Sequence, residues 1–148
     1  MTLAAHAEGG VESTYRYDAD GYLARIMRND GGEFSNAHLV YDYRGRLLGI
    51  MHPDQFSELD RVFIYAEGTP IAMLLGSPAE KATVYNIITD HLGTPLLYFR
   101  NEQQYTRPWY TPFGEITDVE EVGSAAPPLD LRFPGQVDFS SAVSDWPT

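Results

Sequence analysis

Short apolar stretches recur along this chain, each closed by a cluster of polar, glycine or proline residues. The clusters fall at Asp18–Gly21, Asn29–Gly32, Tyr43–Gly45, His52–Gln55, Glu67–Thr69, Ser77–Lys81, Asp90–Thr94, Asn101–Gln103 and Thr111–Gly114. Between them lie stretches of about five to eight residues, the ordinary length of a strand. No window carries the spacing of a capped amphipathic helix, so the pattern predicts an all-β fold of consecutive antiparallel hairpins. In Val62-Phe63-Ile64-Tyr65 and Ile71-Ala72-Met73-Leu74-Leu75, apolar residues occupy both parities. A sheet with one wet face alternates more cleanly, so either both faces are covered or the sheet rests against further protein.

The pattern also repeats. Tyr17, Tyr41 and Tyr65 stand 24 residues apart, and the first two open nearly the same phrase. Tyr17-Asp18-Ala19-Asp20-Gly21-Tyr22-Leu23 and Tyr41-Asp42-Tyr43-Arg44-Gly45-Arg46-Leu47 match position by position. Tyr65-Ala66-Glu67-Gly68-Thr69-Pro70-Ile71 is a shortened relative, and Tyr110-Thr111-Pro112-Phe113-Gly114-Glu115-Ile116 is a looser echo. The phrase reads as a hairpin: Asp bonds its own backbone, Gly reaches positive φ, and the Tyr before the turn faces the Leu or Ile after it. A fixed period of this length marks repeat architecture, in which each unit buries its surface mainly against its neighbours.

Composition narrows the function more than the fold. The chain has 148 residues, 43% of them hydrophobic, with ten Tyr, seven Phe, thirteen Gly and no Cys. That is the size of one folded domain, and disulfide or thiolate chemistry is excluded. No apolar run approaches the roughly 20 residues of a membrane helix, and Met1–Glu8 lacks the features of a signal peptide. The net charge of −11 argues against nucleic-acid binding, which needs a basic footprint. From Glu115 onward seven acids face Arg132 alone. The expected organisation is a poorly ordered lead-in over 1–12, hairpin repeats over 13–117, an acidic Pro-containing loop over 118–130, and a last segment over 131–148.

Beyond the repeats stand Thr89-Asp90-His91-Leu92-Gly93-Thr94-Pro95, the Tyr110 phrase, and Leu131-Arg132-Phe133-Pro134-Gly135-Gln136. With the Tyr-Asp phrases, and in this order, they resemble the C-terminal core of RHS/YD-repeat proteins over about residues 13–136. That family includes bacterial Rhs polymorphic toxins, the C components of Tc toxins, and teneurins. The resemblance implies that the hairpins form part of a spiralling β-sheet shell, non-enzymatic in itself, which encloses a C-terminal toxin for delivery. It implies structural roles for Tyr17, Asp18, Gly21, Tyr41, Asp42, Gly45, Tyr65, Gly68, Asp90, His91, Gly93, Pro95, Tyr110, Pro112, Gly114, Phe133 and Gly135. The implied partners are the rest of a shell and its enclosed toxin, in a secreted or exported protein; an orphan fragment would stay cytoplasmic. After Gln136 the family's continuation and its Asp-Pro-x-Gly cleavage signature are missing, so 131–148 reads as a truncated core remnant with a divergent tail.

Little else suggests chemistry. Asp18, Asp20 and Gly21 do not fit a calcium loop, because Gly stands fourth rather than sixth and Asn29 holds the twelfth place. Asp90 and His91 are adjacent, so in a strand they would point to opposite faces and could not share a proton; both are expected to tie the Leu92–Pro95 turn. No nucleophile elbow, zinc motif or phosphate cradle is present, and no cofactor is expected. Tyr105, Trp109, Tyr110 and Phe113 form an aromatic group, of which Trp109 and Tyr110 are the candidates for binding glycans or a surface receptor. An adhesion or carbohydrate-binding module is therefore the alternative function. Open strand edges would also favour self-association.

Overall fold

The computed structural model describes residues 3–8, 11–30, 33–51, 59–76, 82–102, 104–123 and 127–132. These form eleven strands and, among the described residues, no helix: β1 Leu3–Glu8, β2 Val11–Tyr17, β3 Leu23–Asp30, β4 Glu33–Tyr41, β5 Leu47–Met51, β6 Leu59–Ala66, β7 Thr69–Leu75, β8 Thr83–Thr89, β9 Pro95–Asn101, β10 Gln104–Tyr110 and β11 Ile116–Val122. Every strand pairs antiparallel with the next, giving a single sheet in the order β1 to β11. The sheet is open, with β1 and β11 as its edges. In such a meander alternate turns lie at the same end, so the β2–β3, β4–β5, β6–β7, β8–β9 and β10–β11 turns share one rim.

Burial follows the pleat. In β8, Tyr85 and Ile87 are buried while Val84, Asn86 and Ile88 are exposed, the period-two signature of a strand covered on one side. The packed face carries Ile26, Ala37, Leu39, Leu47, Ile50, Phe63, Met73, Tyr85, Ile87 and Tyr98 as one cluster, flanked by Tyr15, Leu23, Tyr41, Tyr65 and Leu75. Cross-strand pairs knit it together: Ile26 faces Ala37, Leu39 faces Ile50, Phe63 faces Met73, and Met73 faces Tyr85. Burying each larger side chain contributes about 1.5–3 kcal/mol. The other face leaves Phe34, Ile64, Val84, Ile88 and Trp109 exposed. Apolar residues on both parities therefore do not come from double burial within the described residues.

Two expected boundaries change. The lead-in over 1–12 contains β1 and the start of β2, joined by a six-pair register from Leu3↔Arg16 to Glu8↔Val11. The small residues of 3–8 carry little strand propensity of their own, and ladder pairing with β2 supplies what propensity lacks. The acidic segment is strand up to Val122, with Val119 opposite Pro108 and Ile116 opposite Tyr110. On an edge strand, acidic side chains stay solvated without breaking the ladder.

After β11 the chain returns over the packed face. Residues 127–132 cross it as an irregular strap, with Pro127, Asp130 and Leu131 buried and Leu129 packed against the core. Phe133, Gly135 and the rest of the 133–148 tail lie outside the described residues.

Candidate functional site

The shared rim is built from one local device used four times. At Asp18 the backbone N–H donates to the Tyr22 carbonyl, the Gly21 N–H donates to the Asp18 carbonyl, and Asp18 Oδ1 accepts from the N–H groups of Asp20 and Tyr22 at 3.0 and 2.9 Å. The same set recurs at Asp42 with Arg44, Gly45 and Arg46, and at Asp90 with Leu92, Gly93 and Thr94. It recurs again at Thr111, whose Oγ1 accepts from Phe113 and Glu115 at 3.2 Å. A carboxylate or hydroxyl one residue after the strand thus satisfies two turn donors, and the glycines close the turn at φ between 78° and 89°. Donation from the Arg46 N–H, assisted by its guanidinium, holds the Asp42 carboxyl below the usual range despite some desolvation. Burial pushes Asp90 up, but the Thr94 and Leu92 donors outweigh it and the net shift is also downward.

The third turn is the exception that fixes the register. Ala66 stands where Asp would, and the bend is only Glu67-Gly68, both at positive φ as in a type I′ hairpin. Tyr65 consequently pairs with Pro70 rather than Ile71, whereas Tyr17, Tyr41 and Tyr110 meet Leu23, Leu47 and Ile116 as the phrase predicts. The register slips at one equivalent place in all five rim hairpins, next to Tyr17, Tyr41, Tyr65, Thr89 and Tyr110. Thr89 therefore holds the fourth place of the 24-residue series. Such bulges add local twist.

Successive turns touch in a ladder. Tyr22, which follows Gly21, stacks on Tyr41 of the next turn with ring centroids 5.3 Å apart. Arg46, which follows Gly45, lies 5.2 Å over the Tyr65 ring and donates from Nε to Asp42 Oδ2 at 2.7 Å. A Cβ on Gly45 would enter the Tyr22 ring, one on Gly68 would meet Arg46 at 3.7 Å, and one on Gly93 would meet Pro70 at 4.0 Å. A Cβ on Gly21 meets nothing within 4 Å. Burial raises the Tyr41, Tyr65 and Tyr110 hydroxyls to about 12; the Tyr65 hydroxyl donates to the Leu47 carbonyl at 2.9 Å.

A second cluster pins the strap. Arg61 Nη1 meets Asp130 Oδ1 at 2.8 Å, with side-chain exposures of 5% and 0%. Beside it the Tyr98 hydroxyl donates to the Leu131 carbonyl at 3.2 Å. Burial drives the Tyr98 hydroxyl well above its ordinary value. The sequence carried no sign of either link, which join residues 69 and 33 positions apart.

The other candidates are scattered. Asp90 ties its turn by the bonds above, while His91 is exposed beside it; Pro95 is buried and Pro112 exposed. Trp109 and Tyr110 flank the register shift of β10 and differ in exposure. Trp109 is 50% exposed on the open face, 6.0 Å from the Arg107 guanidinium, while Tyr110 is half-buried on the packed face. Tyr105 donates to Glu120 at 2.9 Å, and Phe113 is exposed in its turn. Among the described residues no cluster of three metal-ligating side chains occurs, and no helix is long and apolar enough to cross a membrane. Neither the models of known protein families nor the curated proteins contain a match to this chain.

Proposed function

We infer that this chain is a non-enzymatic structural scaffold, a segment of an RHS/YD-repeat shell that encapsulates a toxin polypeptide for delivery. The observation that carries this reading is the rim ladder. Three turn glycines are overlaid by a side chain of the preceding turn, and Gly21 alone of those four has no neighbour within 4 Å. A ladder that repeats by nearest-neighbour contact suits repeat architecture, in which each hairpin buries its surface against the next. The turn carboxylates are consumed by backbone donors, which supports a building role for Asp18, Asp42 and Asp90 over a catalytic one. The test is deletion of residues 13–132 from a longer protein that carries a following toxin. Loss of delivery, or poisoning of the producing cell, supports the scaffold; unchanged delivery contradicts it.

One observation favours a second reading, a carbohydrate-contacting surface. Trp109 is half-exposed on the open face and its cross-strand partner is Asp118, so an aromatic ring stands beside an acceptor. Glycan-array binding that disappears in Trp109→Ala would favour it.

A further inference from the structure

The open face of β2, β3 and β4 carries an arrangement of charge that strand pairing alone does not call for. In registers unbroken at this place, Arg16 stands opposite Arg25 and Arg25 opposite His38. Side chains directly opposite share a face, with Cβ atoms about 4.5–5.5 Å apart. Tyr15, Ile26 and Ala37, their neighbours in sequence, pack on the core, so the row of Arg16, Arg25 and His38 stands on the other side of the sheet. All three are half-buried. Like charges directly opposite one another weaken a strand pair, so the two arginines oppose the sheet that holds them.

Among the described residues neither Arg16 nor Arg25 forms an ion pair. Asp18, two residues beyond Arg16, accepts from the N–H groups of its own turn. Glu12 stands four residues before Arg16, about 13 Å away along the strand. Arg25 is nonetheless held in place: its Nε donates to Asn36 Oδ1 at 2.8 Å, which leaves both Nη groups and the Asn36 Nδ2 as donors. Thr14, which with Asn36 flanks Met27 in the next row of the same face, adds a hydroxyl. The Arg25 charge reaches along the row to His38, whose imidazole is held below its usual range by burial first and by that charge second.

Two guanidinium forks side by side suit an oxyanion, because each presents paired N–H donors in the geometry that phosphate and carboxylate accept. A phosphoryl dianion brings the two negative charges that the arginine pair lacks, whereas a carboxylate brings one. The net charge of −11 disfavours a polyanion, but a single phosphoryl group is screened from acids more than about 8 Å away. We propose that Arg16 and Arg25, with Asn36 beside them, form a binding site for a phosphoryl dianion, either free or as the monoester of a small molecule. The site does not depend on the encapsulating role.

The experiment is isothermal titration calorimetry of the 148-residue chain with inorganic phosphate, glycerol 3-phosphate and acetate, at about 0.15 M ionic strength. Arg16→Gln and Arg25→Gln are titrated beside Arg44→Gln, a control in the rim whose guanidinium lies over the Tyr43 ring. Unchanged circular dichroism verifies that each variant is folded, and either of the first two suffices for the test. Saturable phosphate binding is expected in the parent chain and in Arg44→Gln, with the Kd raised at least about tenfold in Arg16→Gln and Arg25→Gln, and for acetate in the parent. Glycerol 3-phosphate binding more tightly than phosphate would assign the site to a monoester, and equal or weaker binding to the free anion. No saturation up to about 20 mM phosphate, acetate binding as tightly as phosphate, phosphate binding undiminished in Arg16→Gln and Arg25→Gln, or an equal loss in Arg44→Gln would each overturn the proposal.

Discussion

Removing one partner of the buried Arg61–Asp130 pair is the sharpest perturbation this fold offers. Both side chains are almost wholly shielded, so Asp130→Ala removes the carboxylate that the Arg61 guanidinium meets at 2.8 Å, while Arg61→Met removes the guanidinium from Asp130. Breaking a buried pair from one side costs about 3–5 kcal/mol, because the surviving charge keeps its desolvation penalty and loses an oppositely charged partner. Replacing both with apolar residues removes both penalties, and such swaps are neutral or stabilising by about 1–4 kcal/mol. The Arg61→Met/Asp130→Leu double variant is therefore expected to lie near or above the parent in stability, although each single change is severe. Urea denaturation, with the midpoint and slope fitted together, gives the three differences and the coupling between the sites. Additive losses would refute the assignment of a buried, mutually dependent pair, as would single variants within about 1 kcal/mol of the parent. Hydrogen exchange at 127–132 adds a readout of the strap itself: the single variants should deprotect it before the rest of the sheet opens.

Other outcomes follow from the rim and the core. Gly45→Ala should destabilise more than Gly21→Ala: both force a side chain to positive φ, at about 1 kcal/mol or more, but at Gly45 alone the new Cβ also displaces Tyr22 from Tyr41. Equal losses by calorimetry would contradict the ladder. Met73→Ala, at a fully buried site, should cost about 2–5 kcal/mol in the same denaturation assay. Tyr41, Tyr65 and Tyr110 have folded-state values raised from 10.0 to about 12, so their contribution is complete below pH 10 and fades as pH rises toward 12. A Tm that stays flat across that window would contradict their burial. Asp42 and Asp90 are shifted the other way, so their contribution is present above 3.8 and declines as acid titrates them, which a Tm series between pH 5 and 2 checks.

The turns were legible because their chemistry is local. An Asp three residues before a Gly specifies a hydrogen-bond pattern that needs no tertiary partner, and Thr111 can replace Asp because its hydroxyl reaches the same donors. The 24-residue period was likewise visible in Tyr17, Tyr41 and Tyr65, but its continuation at Thr89 was not, since the tyrosine is gone and only the register shows the equivalence. β1 escaped notice because Leu3–Glu8 has little intrinsic strand character, and β11 because its acids read as a loop until an edge position accounts for them. The strap could not be foreseen: Asp130 and Arg61 look like any solvated charges until the chain after β11 folds back over the packed face. Trp109 and Tyr110 are neighbours in the sequence, which shows neither the register shift between them nor that Trp109 is half-exposed while Tyr110 is partly buried.

The scaffold reading stands or falls most directly on protease protection. In a longer protein that carries this segment and a following polypeptide, proteinase K should leave the following polypeptide intact while the repeats are present. It should digest that polypeptide once residues 13–132 are deleted. Equal digestion with and without the repeats would contradict the scaffold.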